Sequence, residues 1–293
     1  MKKTSFAVIG GVLAASLALT ACSNDNNNNS GASESPSASP SASASASASA
    51  SAPATVTGTS FENWGTYGFD LNNTRHAPYT EITADNVNDL GVVWSADLKT
   101  LDADVKNGNQ SYPVVVDGVI YISTSGNQVF AFDAVTGNQI WHWKPPAEEA
   151  ANYSKAGIIA NRGVAVGDGK VFMLTIDCQL VALDQKTGEL VKKVKLSDYY
   201  PDVTMENGYY ETTAPLFYNG IVYVGSSGGD NGVRGFEAAF KSSDLTPAWD
   251  SPFWTVPPKG QDWLANSNFQ GGGAVWNPPA IDTETGIMYF AVG

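Results

Sequence analysis

VFAFDAVTGNQIW, residues 129–141, is the stretch that decides the fold. A β-branched and aromatic run ends on Asp133, a Thr-Gly turn follows, and a second apolar run closes on Trp141. Run, turn and run at this length read as a β-hairpin. The outline returns as LVALDQKTGEL at 180–190 and, altered, as GFEAAFKSSDLTPAW at 235–249. Each copy is preceded by another hairpin-like stretch turning on Asp-Gly or Asn-Gly: VVVDGVIYIST at 114–124, VAVGDGKVFMLT at 164–175 and LFYNGIVYVGSS at 216–227. Gly118, Gly169 and Gly220 are spaced 51 residues apart, as are Asp133 and Asp184. One unit of two hairpins therefore recurs three times, and a fourth begins in AVWNPPAIDTETGIMYFAVG at 274–293. Four-stranded antiparallel blades of a propeller fit such a period, whereas a sandwich gives no reason for regular spacing.

The flanking sequence predicts how this domain is carried. Lys2 and Lys3 precede an apolar run from Phe6 to Leu19, shorter than a membrane span, which ends in Leu-Thr-Ala-Cys. Residues 1–21 read as a lipoprotein signal peptide, with Cys22 as the lipidated first residue of the mature chain and an extracytoplasmic, membrane-anchored location. Residues 22–58 are Asn, Ser, Ala and Pro with almost no apolar bulk, including an unbroken Ser-Ala alternation from Ser41 to Ala52. Such a segment cannot bury a core and reads as a flexible tether with a root-mean-square reach of about 30–36 Å. Residues 59–293 hold the repeats.

Use of Cys22 for lipid leaves Cys178 alone, so no internal disulfide or cysteine-rich metal site is expected; Cys178 reads as a buried strand residue. His76 and His142 lack the spacing of a zinc site. The formal charge of −13 becomes more negative once Lys2 and Lys3 leave with the signal, which disfavours nucleic acid as a partner.

One stretch asks for chemistry. SSGGDNGVRG, residues 226–235, follows the strand-like IVYVG with two hydroxyls, four glycines, a carboxylate at Asp230 and a guanidinium at Arg234. It reads either as a turn or as a place where backbone must approach a ligand closely.

The repeat A-x-D-x-x-T-G-x-x-x-W, seen at Ala131–Trp141 and more weakly at Ala182–Lys192, resembles that of the pyrroloquinoline quinone (PQQ) dependent alcohol dehydrogenases. The likeness extends to the lead-in segment at 63–98, to NRGVAV at 161–166, to the loop GSSGGDNGVRGF and to GGGAVWNPPAID at 271–282. The matches follow the family's order over residues 61–293. The resemblance implies an all-β, eight-bladed quinoprotein-type propeller, of which about half the blades are present in this chain. It also implies PQQ with Ca²⁺ or a lanthanide near the axis, a small alcohol as substrate, and a cytochrome or quinone as electron acceptor.

Carried over by position, the resemblance gives Arg162 to acidic or quinone oxygens of the cofactor, Thr212 and Ser227 to hydrogen bonds with it, and Gly228 and Gly229 to close backbone approach. Trp276 becomes the floor beneath the rings and Asp230 the metal carboxylate. Gln110 stands where the family has a glutamate near the cofactor, Asp230 where it usually has a longer glutamate, Ala274 where it has a threonine, and Ala156-Gly157 where many members have paired cysteines. The family's asparagine metal ligand and its aspartate general base fall past Gly293, so no catalytic residue is assigned within this chain. On this reading the chain is an N-terminal fragment, inactive alone. An alternative of another class is a non-catalytic lipoprotein that uses PQQ-like repeats as an envelope scaffold for protein contacts.

Overall fold

The computed structural model describes residues 63–106, 108–153, 160–258, 261 and 271–293. The signal peptide, Cys22, the tether and the Ala156-Gly157 pair lie outside the described residues. Three four-stranded antiparallel sheets follow one another in chain order. The first comprises β1 (Val114–Val116), β2 (Val119–Ser123), β3 (Val129–Asp133) and β4 (Gln139–Trp143). The second comprises β5 (Ala165–Gly167), β6 (Lys170–Thr175), β7 (Gln179–Asp184) and β8 (Leu190–Lys195), and the third β9 (Leu216–Tyr218), β10 (Ile221–Gly225), β11 (Phe236–Lys241) and β12 (Phe253–Trp254). A further hairpin, β13 (Ala280–Asp282) with β14 (Ile287–Tyr289), opens the fourth unit. The predicted two-hairpin repeat is therefore a four-stranded blade.

Local chemistry sets both hairpins. Asp117-Gly118, Asp168-Gly169 and Asn219-Gly220 each take φ values between 49° and 77°, the left-handed pair that a two-residue type I′ turn needs. At the second turn, the Asp133 carboxylate accepts the backbone N–H of Val135 at 3.1 Å and of Thr136 at 2.7 Å. Asp184 does the same for Lys186 and Thr187, and Asp282 for Glu284 and Thr285. The Thr285 hydroxyl, which donates to Asp282 at 2.6 Å and is the largest cause there, and these backbone bonds hold all three carboxyls below the usual carboxylate range. In the third blade, where Thr-Gly is lacking, Leu245 takes the left-handed conformation at φ 57°.

The middle strands β6 and β7 are buried on both faces, and alternation decides which neighbour each residue meets. Val171, Met173, Val181 and Leu183 pack with Tyr121, Val129, Ala131 and Trp141 of the first blade. Phe172, Leu174, Leu180 and Ala182 pack with Val222, Val224, Phe236 and Phe240 of the third. The repeat's tryptophan locks this order. Trp141 donates its indole N–H to the Gln185 carbonyl at 3.0 Å, and its ring covers Gly188 in the next blade's turn. Trp94 makes the same contact with Ala134 O, at 3.1 Å, and with Gly137.

Gly188 has φ 73°, and a Cβ there would lie 2.6 Å from the Trp141 ring. Gly188→Ala is therefore expected to lower unfolding free energy by about 2–4 kcal/mol through strain and overpacking, read as a lower urea midpoint at unchanged slope.

One sequence expectation changes in detail. Cys178 is buried but lies in the turn between β6 and β7 with φ 61°, because the reversal after Thr175 needs a left-handed residue; burial pushes its thiol pKa up. Residues 92–97 have no ladder partner among the described residues and form no strand, leaving Val92 and Val93 86% and 87% exposed.

Candidate functional site

The strands β1, β5 and β9 are neighbours, β5 touching both of the others, so the segments that lead into them run side by side. Tyr112 N–H bonds to Arg162 O at 3.0 Å, and Arg162 N–H to Thr212 O at 3.0 Å. Ladder bonds thus fix the relative height of three loops whose side chains are far apart in sequence. The connection from β10 to β11, which contains Ser226–Gly235, and the segment before β13, which contains Ala274 and Trp276, meet them there. Gly235 N–H bonds to Gly272 O at 2.9 Å, tying those two segments together.

A cavity of about 240 Å³ opens at this junction. Gln110, Arg162, Thr212, Ser227, Gly228, Gly229, Asp230 and Trp276, which the sequence singled out, all line it, together with Ala160, Tyr210 and Ala274. Arg162 donates from Nη1 to Thr212 Oγ1, and Thr212 Oγ1 lies 2.8 Å from Ser227 Oγ. The guanidinium carbon sits 4.7 Å from the centroid of the Trp276 ring, a cation–π stack. No carboxylate pairs with Arg162 among the described residues, and burial depresses its pKa, opposed by the Tyr67 and Tyr210 phenols.

Asp230 is carried on a single 3-10 turn, Gly229–Asn231, bracketed by left-handed Gly228 at φ 95° and Gly232 at φ 80°. The resemblance implies ligand approach at Gly228; its geometry also has an internal cause, since a Cβ there would meet Gly208 O at 2.6 Å. Gly229 faces Ala274, whose Cβ would be 3.2 Å from an added methyl group. Asp230 is exposed and is the one acidic side chain among the described residues that line the cavity. Gln110 is exposed as well. Arg234 lies outside the lining: its Nε donates to Val256 O at 2.9 Å and its guanidinium stacks 4.3 Å from the Trp254 ring, which anchors the loop.

Three residues here escaped sequence reasoning. Tyr210 lines the cavity, and burial together with the charge of Asp230 raises its phenol. Glu211 and Glu237 are fully buried behind it, and desolvation pushes both carboxyls well above the ordinary range. An acid inside the apolar run FEAAF, and another beside Thr212, were the available signals.

The lining suits a flat polyanion. It offers a half-buried cation without a counter-ion, two hydroxyls, an indole face, a glycine-walled side and one free carboxylate for a cation. No group of three or more His, Cys, Asp or Glu residues able to hold a metal occurs among the described residues. An ion at Asp230 would therefore draw most of its oxygens from the cofactor or from outside these residues.

Comparison with known proteins bears on the fold and the family. A family model described as glucose/ethanol/alcohol dehydrogenase, beta-propeller domain, matches residues 64–293. The dehydrogenase subunit of a quinone alcohol dehydrogenase from Gluconacetobacter polyoxogenes is 33% identical over 252 residues, covering 79% of this chain and 33% of that protein. The solved quinohemoprotein alcohol dehydrogenase ADHIIG of Pseudomonas putida HK5 superposes with a TM-score of 0.68 at 33% identity, covering 79% of this chain and 34% of that one. A europium-containing methanol dehydrogenase gives a TM-score of 0.66 at 25% identity, covering 79% and 42%. The chain spans about a third of the length of the curated relatives it matches. A repeat of antiparallel blades, a match over nearly all the described residues and identity at this level together place the chain in the family of PQQ-dependent glucose/ethanol/alcohol dehydrogenase β-propellers.

Proposed function

We propose that this chain forms the PQQ-binding part of a quinoprotein that oxidises an alcohol outside the cytoplasm, held at a membrane by lipid on Cys22 and spaced from it by residues 22–58. The observation that carries the reading is the unpaired, half-buried guanidinium of Arg162 lying over the Trp276 indole in a cavity that also holds Thr212, Ser227 and Asp230. Burying a cation without a partner is costly, and an anionic ligand repays that cost.

Arg162 would pair with an acidic oxygen of PQQ, Thr212 and Ser227 would donate hydrogen bonds, and Trp276 would carry the flat face once the guanidinium slides aside. Asp230 would hold a Ca²⁺ or lanthanide ion; its single short carboxylate favours a large cation with flexible coordination. When bound, PQQ supplies an ortho-quinone that accepts the hydride of the alcohol, and the ion acts as a Lewis acid on it. Electrons would pass to a quinone or a cytochrome, the species printed in the names of the Gluconacetobacter alcohol dehydrogenase (quinone) and the Thauera 1-butanol dehydrogenase (cytochrome c).

The test is a PQQ titration of the chain, followed by indole fluorescence, with Ca²⁺, with Eu³⁺ and with EDTA. Metal is expected to tighten binding by about tenfold or more, as charge-assisted contacts of this kind do, and Asp230→Ala is expected to remove that increment while leaving metal-free binding unchanged. An equal metal effect in the variant would dismiss Asp230, and no PQQ binding under any condition would favour the scaffold reading instead.

A further inference from the structure

Behind the cavity wall lie two glutamates that the proposed chemistry does not use. Glu211 and Glu237 are both 0% exposed, and neither pairs with a cation among the described residues. Of their four carboxyl oxygens only Glu211 Oε2 has a hydrogen-bond partner, the backbone N–H of Ser227 at 3.0 Å. Burial of two acids in one core is unfavourable unless a specific contact compensates it.

Ser227 is the point where the β10–β11 ladder ends. Ser226 N–H still bonds to Phe236 O at 3.1 Å, and Phe236 N–H to Ser226 Oγ at 2.8 Å. The next donor, Ser227 N–H, leaves the sheet and would be orphaned inside the protein without Glu211. Two consecutive residues therefore grip Ser227: Glu211 takes its amide from behind, and Thr212 meets its hydroxyl at 2.8 Å on the cavity side. Thr212 in turn accepts from Arg162. Glu237 backs the same wall, its Oε2 lying 3.0 Å from where a Cβ on Gly225 would be, on the side of Gly225 that faces Val275 O, one residue before Trp276.

We propose that Glu211 is a positioning residue for the cofactor seat: by holding the Ser227 amide it fixes the loop Ser227–Asp230, with its hydroxyl and its metal carboxylate, against the Thr212–Arg162 segment. This rests on the reading of the cavity as a PQQ site, although the loop-holding half of it can be tested without cofactor. A carboxyl and a carboxamide both present an acceptor oxygen here, so glutamine preserves the role and alanine or leucine abolishes it.

The experiment measures hydrogen exchange at the Ser227 amide in the cofactor-free chain and PQQ affinity with Ca²⁺, for wild type, Glu211→Gln, Glu211→Ala and the volume-keeping Glu211→Leu. Loss of one buried acceptor should speed Ser227 exchange and weaken PQQ binding about 10- to 100-fold in the alanine or leucine variant, with Glu211→Gln within about threefold of wild type. Should alanine fail to fold, leucine and glutamine carry the comparison. Wild-type exchange at Ser227 in the leucine variant, or a glutamine variant as impaired as leucine, overturns the proposal. Fast exchange in the leucine variant with unchanged PQQ affinity overturns the link to the seat. Absence of PQQ binding in the wild type with the exchange difference intact rejects the cofactor reading and keeps the loop-holding role.

Discussion

Arg162→Ala is expected to weaken PQQ binding by about 30- to 1,000-fold, the cost of removing one member of a partly buried charged contact. The guanidinium is the one cationic side chain among the described residues that line the cavity, and it has no carboxylate to lean on. Arg162→Lys should recover only a small part, since an ammonium cannot form the planar fork or lie flat on Trp276. Stability should respond differently. The free chain loses a cation–π contact and a bond to Thr212 but also sheds an unpaired, desolvated charge, so its unfolding free energy is expected to stay within about 1 kcal/mol of wild type. Equilibrium titration alongside urea unfolding separates the two. Affinity within threefold of wild type would show that the cation does not serve an anionic ligand, and a large loss of stability would make Arg162 a structural residue.

A second large effect concerns pH. Burial raises the Glu211 and Glu237 carboxyls well above the ordinary glutamate range, partly offset at Glu211 by the Ser227 N–H and reinforced by the proximity of Glu237. Above that range the folded chain keeps protons that the unfolded chain has released, so folding takes up protons and stability falls as pH rises. The slope is about 1.4 kcal/mol per pH unit for each acid that remains neutral when folded. Below the ordinary glutamate range both states are protonated and this loss is absent. The aspartates at the blade turns act in the opposite sense: Asp133, Asp184 and Asp282 are depressed by their hydrogen bonds, and what they contribute is lost as pH falls through their folded pKa values. Urea midpoints are therefore expected to decline from pH 5 to pH 8 in the wild type and to run nearly level in Glu211→Gln/Glu237→Gln. Parallel slopes in the two proteins would mean that the acids ionise in place.

These two predictions differ in how far the sequence reaches. Arg162, Thr212, Asp230 and Trp276 were singled out through the resemblance, position by position, and the structure brings all four to one cavity. The glutamate pair was not singled out, because a single acid in an apolar run looks like an exposed strand position until its neighbours are known. FEAAF would place Glu237 on one face of β11 by alternation, yet both faces of that strand are covered. The unpaired course of residues 92–97 has a similar origin, since composition favours extension but only a partner strand makes a ladder.

The Asp-Gly and Asn-Gly turns and the Asp…Thr-Gly reversals determined the hairpins by themselves, because each acts within a few residues, and the 51-residue period repeated them as blades. Tertiary structure alone decided that Arg162 lies on the Trp276 ring, that Thr212 meets Ser227, and that Glu211 reaches Ser227 from behind. Such contacts join residues 15 to more than 100 positions apart. Their distances depend on how successive blades pack, which no local pattern encodes.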